Sequence, residues 1–191
     1  MAKLEAIFLE KCTSFYANLL EPYRNTDYDI ERWQVTLKVE GKNKKALVDA
    51  NLAAHIEVVD DVLRAEKESK GRIERRPNGE YFQAKRKTTG EGNGKQWDKP
   101  PMKMIDAFND PFVIPSGVTI GDGSILSVKV QPFVSPRSPR GGMGSELELV
   151  QVVKLEAYTI EEEDSGFPSH EGKKGDYYKS PETDNEPAFT I

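Results

Sequence analysis

The residues that offer recognisable chemistry are cationic and aromatic side chains that lie close together in sequence. The segment from Tyr81 to Lys87 mixes two aromatic rings with three consecutive cations. In an extended strand successive side chains alternate between two faces, so Tyr81, Lys85 and Lys87 share one face and Arg86 lies on the other. Cations hold phosphates and a flat ring stacks on any base, so this combination is typical of a surface for unpaired nucleic acid.

The same combination recurs further along the chain. In the segment Ser124 to Val134 an apolar face alternates with a polar face that carries Lys129 and Phe133. The loop that follows, rich in proline and glycine, contributes Arg137 and Arg140. We expect these two arginines to close over a phosphate backbone that lies on the neighbouring strand.

A third candidate is the indole of Trp97, which lies between Lys95 and Lys99 in a segment that the glycines before it predict to be a loop. We expect Lys85, Arg86, Lys87, Lys129, Arg137 and Arg140 to contact phosphates, and Tyr81, Trp97 and Phe133 to stack on bases. Lys95 and Lys99, on either side of the indole, complete a set of eleven predicted binding residues. The competing interpretation is that Phe82 and Phe133 belong to the core and that the lysines extend outward from it. Trp33 shares a face with three aliphatic residues, which favours a place in the core.

Patterns that indicate an enzyme are weak. The chain has no glycine-rich phosphate loop and no dinucleotide fingerprint, and its glycines at 90, 92 and 94 are not followed by a helical pattern. Cys12 is the only cysteine and lies far from both histidines, so no zinc spacing can be formed. We expect neither a metal nor a cofactor. The enzyme hypothesis that stays open is a nuclease that uses Asp106, Asp110 and Asp122 with Mg²⁺.

Charge is distributed unevenly along the chain. The net charge is −5, but residues 156–191 hold ten acidic side chains against three lysines. Residues 62–103, in contrast, hold twelve basic and six acidic side chains. A basic body with an acidic tail suggests a polyanionic ligand. The tail is also rich in Pro, Gly and Ser, and we expect it to be disordered because it cannot bury enough apolar surface to offset its conformational entropy.

Hydrophobic periodicity predicts the elements that must position these groups. Residues 32–39 alternate strictly between apolar and polar, which indicates a half-buried strand. Residues 44–69 fit helical spacing and predict one long helix. Further strands are predicted over residues 4–20, 80–88, 103–108, 124–134 and 146–158, with a flexible glycine-rich loop at 89–95. We therefore predict an all-β barrel or sandwich with one inserted helix, divided into a body at 1–158 and a tail at 159–191.

Three blocks of the sequence resemble the single-stranded DNA-binding proteins with which short-tailed phages of the T-odd type and their relatives replicate DNA. The first block comprises residues 32–39 and 44–49, the second Gly121 to Phe133, and the third Gly144 to Leu155. Order and spacing agree over roughly residues 14–160. The resemblance implies an OB-fold barrel with one long inserted α-helix, sequence-independent binding of single-stranded DNA, and action in the cytoplasm of an infected bacterium, away from any membrane.

The resemblance also implies a role for the tail. Acidic tails of this family dock on the phage DNA polymerase and helicase and compete with DNA for the basic groove, and some members are homodimers. Here the corresponding residues are Glu161, Glu162, Glu163 and Asp164, with Phe189 in place of the family's terminal aromatic residue. The tail departs from the pattern because three lysines dilute its charge. The rival hypothesis is a β-rich structural protein of the virion, or an accessory protein, that does not bind nucleic acid.

Overall fold

The computed structural model describes residues 4–25, 30–92, 95–115, 117–135 and 142–159. Strands dominate this part of the chain. They are β1 (Ile7–Asn25), β2 (Ile30–Lys38), β3 (Ile56–Val59), β4 (Gly79–Lys87), β5 (Thr89–Gly92), β6 (Lys95–Asp98), β7 (Met104–Asp106), β8 (Val118–Ile120), β9 (Ile125–Val134), β10 (Met143–Lys154) and β11 (Ala157–Thr159). Two α-helices, α1 (Gly41–Asp49) and α2 (Asp61–Ser69), lie between β2 and β4. No helix among the described residues has the length and apolar character needed to cross a membrane.

The main sheet has seven strands in the order β3-β4-β2-β1-β9-β10-β7. All neighbours in it are antiparallel except β7, which runs parallel to β10. Although β4 and β10 are separated by three strands in this order, they lie in contact. The sheet therefore curls back on itself, which is consistent with an OB-like all-β fold.

Strand β1 makes this curvature possible. Its first half pairs with β9 with one register shift, and its second half pairs with β2 with two. Lys11 and Tyr16 lie at two of these three shifts with left-handed backbone, at φ values of 50° and 51°. Their amides are satisfied by side chains, since Lys11 N donates to Ser127 Oγ at 3.1 Å and Tyr16 N donates to Asp122 Oδ1 at 2.7 Å. The two bulges bend the strand around the core.

The prediction of one long helix over residues 44–69 is wrong, because this segment forms two nine-residue helices with a strand between them. The first helix ends where Asn51 takes a left-handed φ of 58° and Leu52 N donates to Leu47 O at 2.8 Å. The β-branched residues of Ile56–Val59 then pair with β4. Asp60 begins the second helix by accepting a hydrogen bond from Leu63 N at 2.8 Å.

The strand predictions hold better than the helix prediction. β2, β4 and β9 lie where the alternation placed them, and residues 4–20 form most of β1. The prediction that residues 32–39 are half-buried is wrong, because Gln34 and Thr36 on the predicted polar face are buried as well. The segment predicted at 146–158 is divided between β10 and β11, and that predicted at 103–108 is the shorter β7. The glycine-rich segment at 89–95 is not a simple loop, because β5 and β6 pair as an antiparallel hairpin there.

The core lies inside the curled sheet. It is formed by inward-facing side chains of all five central strands together with Leu47 and Leu52, which are fully buried. Trp33 is 5% exposed, which confirms its predicted place in the core. A second, smaller cluster lies on the other face of β4, where Phe15, Val59 and Tyr81 pack together.

A buried ionic network fixes α2 and the segment after it beside this second cluster. The side chain of Glu74 is 1% exposed and accepts hydrogen bonds from Arg76 Nη2 at 2.7 Å, from Tyr16 Oη at 3.0 Å and from Lys67. Arg76 also donates to Glu57 Oε2 of β3 at 2.6 Å. The hydrogen bond from Arg76 is the largest cause that holds the pKa of Glu74 far below its ordinary value.

We predict that Glu74→Gln lowers the free energy of unfolding by about 3 kcal/mol at neutral pH, because it removes one partner of a buried charge network. A carboxylate with a depressed pKa stabilises the fold above its ordinary pKa of 4.5, and this contribution is lost as the pH falls below that value. Urea unfolding of both proteins between pH 7 and pH 3 measures the difference, which should narrow toward acid. Asp49→Asn, which removes an exposed ion pair with Lys45, is the control and should change stability by less than about 0.5 kcal/mol. A difference between wild type and Glu74→Gln that does not change with pH would contradict this assignment.

Candidate nucleic-acid interface

A cleft opens where the ends of β2, β4, β9 and β10 meet beneath the β5–β6 hairpin. It consists of two adjoining concavities of about 470 and 490 Å³ that share Arg86, Lys99 and Glu146. We call this pair of concavities the cationic cleft. Its basic residues are Arg32, Lys85, Arg86, Lys87, Lys99, Lys103 and Lys129. Its acidic residues are Glu146 and Glu148, and its aromatic residues are Trp97 and Phe133.

The end of β4 supplies three of these cations. Lys85 and Lys87 are exposed on the outer face, whereas Arg86 is half-buried on the face that continues into the core. The guanidinium of Arg86 lies 5.8 Å from the centre of the Trp33 ring. The two residues are also directly opposite each other in the pairing of β2 with β4. Arg86 is therefore held at the rim of the core by the tryptophan beneath it, and it lines both concavities.

The hairpin places Trp97 and Lys99 over the cleft. The hairpin leaves the sheet directly after β4 and returns to it where Lys99 N donates to Thr88 O at 2.7 Å. Trp97 is 37% exposed, and the ammonium of Lys99 lies 5.1 Å from the centre of its ring. Burial, followed by the charge of Arg86, lowers the pKa of Lys99, whereas Glu148 acts in the opposite direction. The cleft therefore crowds positive charge, which an anionic ligand would relieve.

Phe133 and Lys129 occupy the outward face of β9, as the alternation predicted. Phe133 is 43% exposed and lines the first concavity. Lys129 lines the second concavity, where it forms an ion pair with Glu148 at 2.7 Å. The competing interpretation is therefore right for Phe82, which is fully buried in the core, and wrong for Phe133, which lies on the face of β9 opposite to the residues that fill the core.

Sequence reasoning missed four charged residues of the cleft. Arg32 was recognisable as part of a polar strand face, and it pairs with Lys87 across the β2–β4 ladder. Lys103 is recognisable in the sequence only as the last residue of the basic segment 62–103. Glu146 forms an ion pair with Lys99, and Glu148 forms one with Lys129. These two pairings depend on how the strands approach each other in space, which the spacing of residues in the sequence does not contain.

Tyr81 is a wrong prediction, because its side chain is buried and cannot stack on a base. It is 1% exposed, packs edge-on against Phe15 with ring centres 5.7 Å apart, and donates from its hydroxyl to Pro77 O at 2.7 Å. The alternation failed here because both faces of β4 are covered at this end, one by the core and the other by the second cluster.

Several predicted residues lie outside the described part of the chain. They are the side chain of Lys95, the loop residues Arg137 and Arg140, and the tail residues Glu161, Glu162, Glu163, Asp164 and Phe189. Seven of the eleven predicted DNA-binding residues do line the cationic cleft: Lys85, Arg86, Lys87, Trp97, Lys99, Lys129 and Phe133.

The residues considered for enzymatic chemistry have other contacts. Cys12 is 2% exposed, and burial raises the pKa of its thiol to about 12, so the reactive thiolate is disfavoured. Asp106 accepts hydrogen bonds from the backbone of its own turn, at Phe108 N and Asp110 N. Asp122 caps the second bulge of β1 and forms an ion pair with Arg75 at 3.3 Å. Asp106 and Asp122 thus have structural partners.

Comparison with solved structures identifies the fold. The chain is similar to gp2.5, a single-stranded DNA-binding protein encoded by bacteriophage T7, with 18% identity and a TM-score of 0.51 over 88% of this chain and all of that chain. It is also similar to a C-terminally truncated single-stranded DNA-binding protein from bacteriophage Enc34, with 14% identity and a TM-score of 0.51 over 78% of this chain and 85% of that chain. No family model and no curated protein matches.

These similarities place the chain in the class of proteins with an OB-like β fold. More particularly, the chain has the fold of phage single-stranded DNA-binding proteins, so the resemblance predicted from the three sequence blocks is confirmed at the level of the fold. At identities below 20% a shared fold does not by itself transfer a function, and the functional argument must come from the cleft.

Proposed function

We propose that this chain binds single-stranded DNA without sequence preference, in the cationic cleft, during phage DNA replication, recombination or repair. The observation that carries the proposal is the convergence of seven basic side chains and two exposed rings from five separate segments onto one concave surface. Phosphates would lie against the cations while bases stack on Trp97 and Phe133. The OB-fold barrel would serve as a rigid support for this surface.

Sequence tolerance follows from the kind of groups in the cleft. Lys and Arg side chains neutralise phosphates, which are the same at every nucleotide, and the face of an aromatic ring accepts any base. A sequence-specific binding protein instead presents paired hydrogen-bond donors and acceptors to the edges of bases. The lining of the cleft contains no asparagine or glutamine among the described residues. The chemistry of the cleft therefore favours a general binder over a sequence-specific one.

The rival hypothesis, a structural protein that does not bind nucleic acid, explains this surface poorly. Seven cations against two carboxylates leave an excess of positive charge in one cleft, and like charges repel each other. Both rings also expose a substantial part of their apolar surface to water. A ligand with regularly spaced negative charges and flat apolar groups offsets both costs.

The decisive measurement is the binding of dye-labelled oligo-dT and of duplex DNA, followed by fluorescence anisotropy at several salt concentrations. We expect the wild type to prefer the single strand, and Trp97→Ala to weaken binding by about 1–3 kcal/mol, the contribution of one stacked base. Lys85→Gln combined with Lys87→Gln should reduce the slope of log K against log salt by about 0.7 for each phosphate contact that is lost.

The control for the lysine variants is Lys45→Gln, which removes one positive charge from the exposed surface of α1 and should leave the salt dependence unchanged. Equal affinity for single-stranded and duplex DNA, or an affinity that does not change with salt, would contradict the proposed function. Equal losses for the cleft variants and the Lys45 variant would show that net charge matters rather than the cleft.

The two glutamates of the cleft give a second prediction. Glu146 and Glu148 neutralise Lys99 and Lys129, so an incoming phosphate must displace a carboxylate and approach a like charge. We expect Glu146→Gln and Glu148→Gln each to tighten oligo-dT binding by about two- to five-fold at low salt, which corresponds to an exposed ion pair of ~0.5–1 kcal/mol. The anisotropy titration described above measures the effect.

Glu66→Gln is the control for the glutamate variants, because it removes an exposed acid that is paired with Lys70 on α2, away from the cleft. It should leave the affinity within experimental error of the wild type. Weaker binding by either cleft variant would mean that these carboxylates hold the lysines in a binding geometry instead of competing with phosphate.

The tail stays a prediction from the sequence. We propose that its excess of acidic residues competes with DNA for the cleft and docks on the phage DNA polymerase and helicase, and that the protein acts in the host cytoplasm, in part as a homodimer.

Truncation after residue 159 should then tighten oligo-dT binding at low salt, with the difference from the full chain vanishing at high salt because screening removes the competition. Unchanged or weaker binding of the truncated chain would contradict competition by the tail.

A further inference from the structure

Each aromatic residue of the cleft lies directly opposite a glycine on the neighbouring strand. Trp97 of β6 pairs with Gly90 of β5, and Phe133 of β9 pairs with Gly144 of β10. These are two separate antiparallel ladders, and both open onto the first concavity of the cationic cleft. The same cross-strand arrangement has therefore arisen twice around one surface.

The rings occupy the space that a side chain would fill on these glycines. A Cβ atom built on Gly90 would lie 2.6 Å from both Cε2 and Cη2 of Trp97. A Cβ atom built on Gly144 would lie 2.6 Å from Cε2 of Phe133. Carbon atoms in contact are normally about 3.5–4.0 Å apart, so neither ring can keep its position if the opposite residue has a side chain.

Backbone conformation does not explain why glycine is present at these two positions. Six other described glycines have φ values between 51° and 156°, a region that other residues rarely adopt, but neither Gly90 nor Gly144 is among them. Glycine also weakens a strand, because it gains no packing and loses more entropy on folding than other residues. What glycine provides at both positions is room for the ring across the ladder.

We propose that Gly90 and Gly144 are positioning residues that seat the rings of Trp97 and Phe133 against the backbone of the neighbouring strand, so that the remaining ring surface is presented to bases. This inference rests on the proposed function and adds to it the device that orders the stacking groups. A ring that is supported on one side by the partner strand has few rotamers left to lose when a base stacks on it. The cleft is thereby prepared for stacking before DNA arrives.

The test is a pair of double-mutant cycles on oligo-dT affinity. One cycle compares wild type, Gly90→Ala, Trp97→Ala and the double variant, and the other does the same for Gly144→Ala and Phe133→Ala. We expect each glycine variant alone to weaken binding by about five-fold or more, the low end of the contribution of one stacked base. In the background that lacks the ring, the same glycine substitution should change affinity by less than about two-fold, because no ring remains to be displaced.

A second readout separates a displaced ring from a damaged fold. Trp97 is half-exposed and Trp33 is buried, so acrylamide quenching of the free protein reports mainly on Trp97. We expect Gly90→Ala to increase this quenching, because the new methyl group displaces the ring of Trp97. The far-UV circular dichroism and the unfolding midpoint should stay close to wild type, because Gly90 does not have the left-handed φ that alanine disfavours.

The outcomes distinguish this inference from the proposed function. If the wild type binds oligo-dT and the glycine variants bind equally well, the positioning role is wrong and the proposed function stands. If the glycine variants lose affinity by the same factor with and without the ring, the effect is not on the ring and the positioning role is again wrong. A wild type that does not bind oligo-dT overturns the proposed function and this inference with it.

Discussion

The structure depends on the bending of one strand. β1 is hydrogen-bonded to β9 along its first half and to β2 along its second half, so every other strand of the main sheet is connected through it. A straight strand of 19 residues would hold the two halves of the sheet apart. The left-handed residues Lys11 and Tyr16 bend it at two of its three register shifts, and their amides keep hydrogen-bond partners there. The contact between β4 and β10, and with it the cleft, is a consequence of this bend.

The cleft collects its residues from strand ends, and this explains why it is both ordered and open. Inside the sheet, the inward side chains of β2, β4, β9 and β10 fill the core. At the strand ends the core stops, and there Arg86 covers Trp33 while Phe133 lies on Gly144. Side chains at this edge are fixed by packing on one side only. They have defined positions, and they retain surface for a ligand.

The sequence predicted the apolar face of each strand better than the opposite face. Trp33, Val35 and Leu37 were placed correctly because they share the apolar face of an alternating strand, but the burial of Gln34 and Thr36 on the polar face of the same strand was not predicted. Tyr81 was placed wrongly, because α2 and its neighbours cover the second face of β4 and the sequence pattern does not report that packing. The long helix failed because its apolar spacing is shared by two short helices and a strand. The register shifts of β1 change the phase of alternation, so residues 7–25 do not follow a single pattern of apolar and polar positions.

The balance between charge and stacking in the cleft bears on how such a protein works. If the cleft held cations alone, its affinity for DNA would be set by counterion release. That affinity would fall steeply as the salt concentration rises. Two of the cations are already paired with Glu146 and Glu148. Their neutralisation of phosphates is therefore weaker, and the gain from counterion release on DNA binding is smaller. Stacking on Trp97 and Phe133 depends little on salt, and the glycines opposite them keep both rings in place. In the proposed function, the carboxylates would moderate the part of the affinity that is non-selective toward polyanions, including duplex DNA, whereas the seated rings would supply the part that only unpaired bases can use. The proposed preference for the single strand follows from this division.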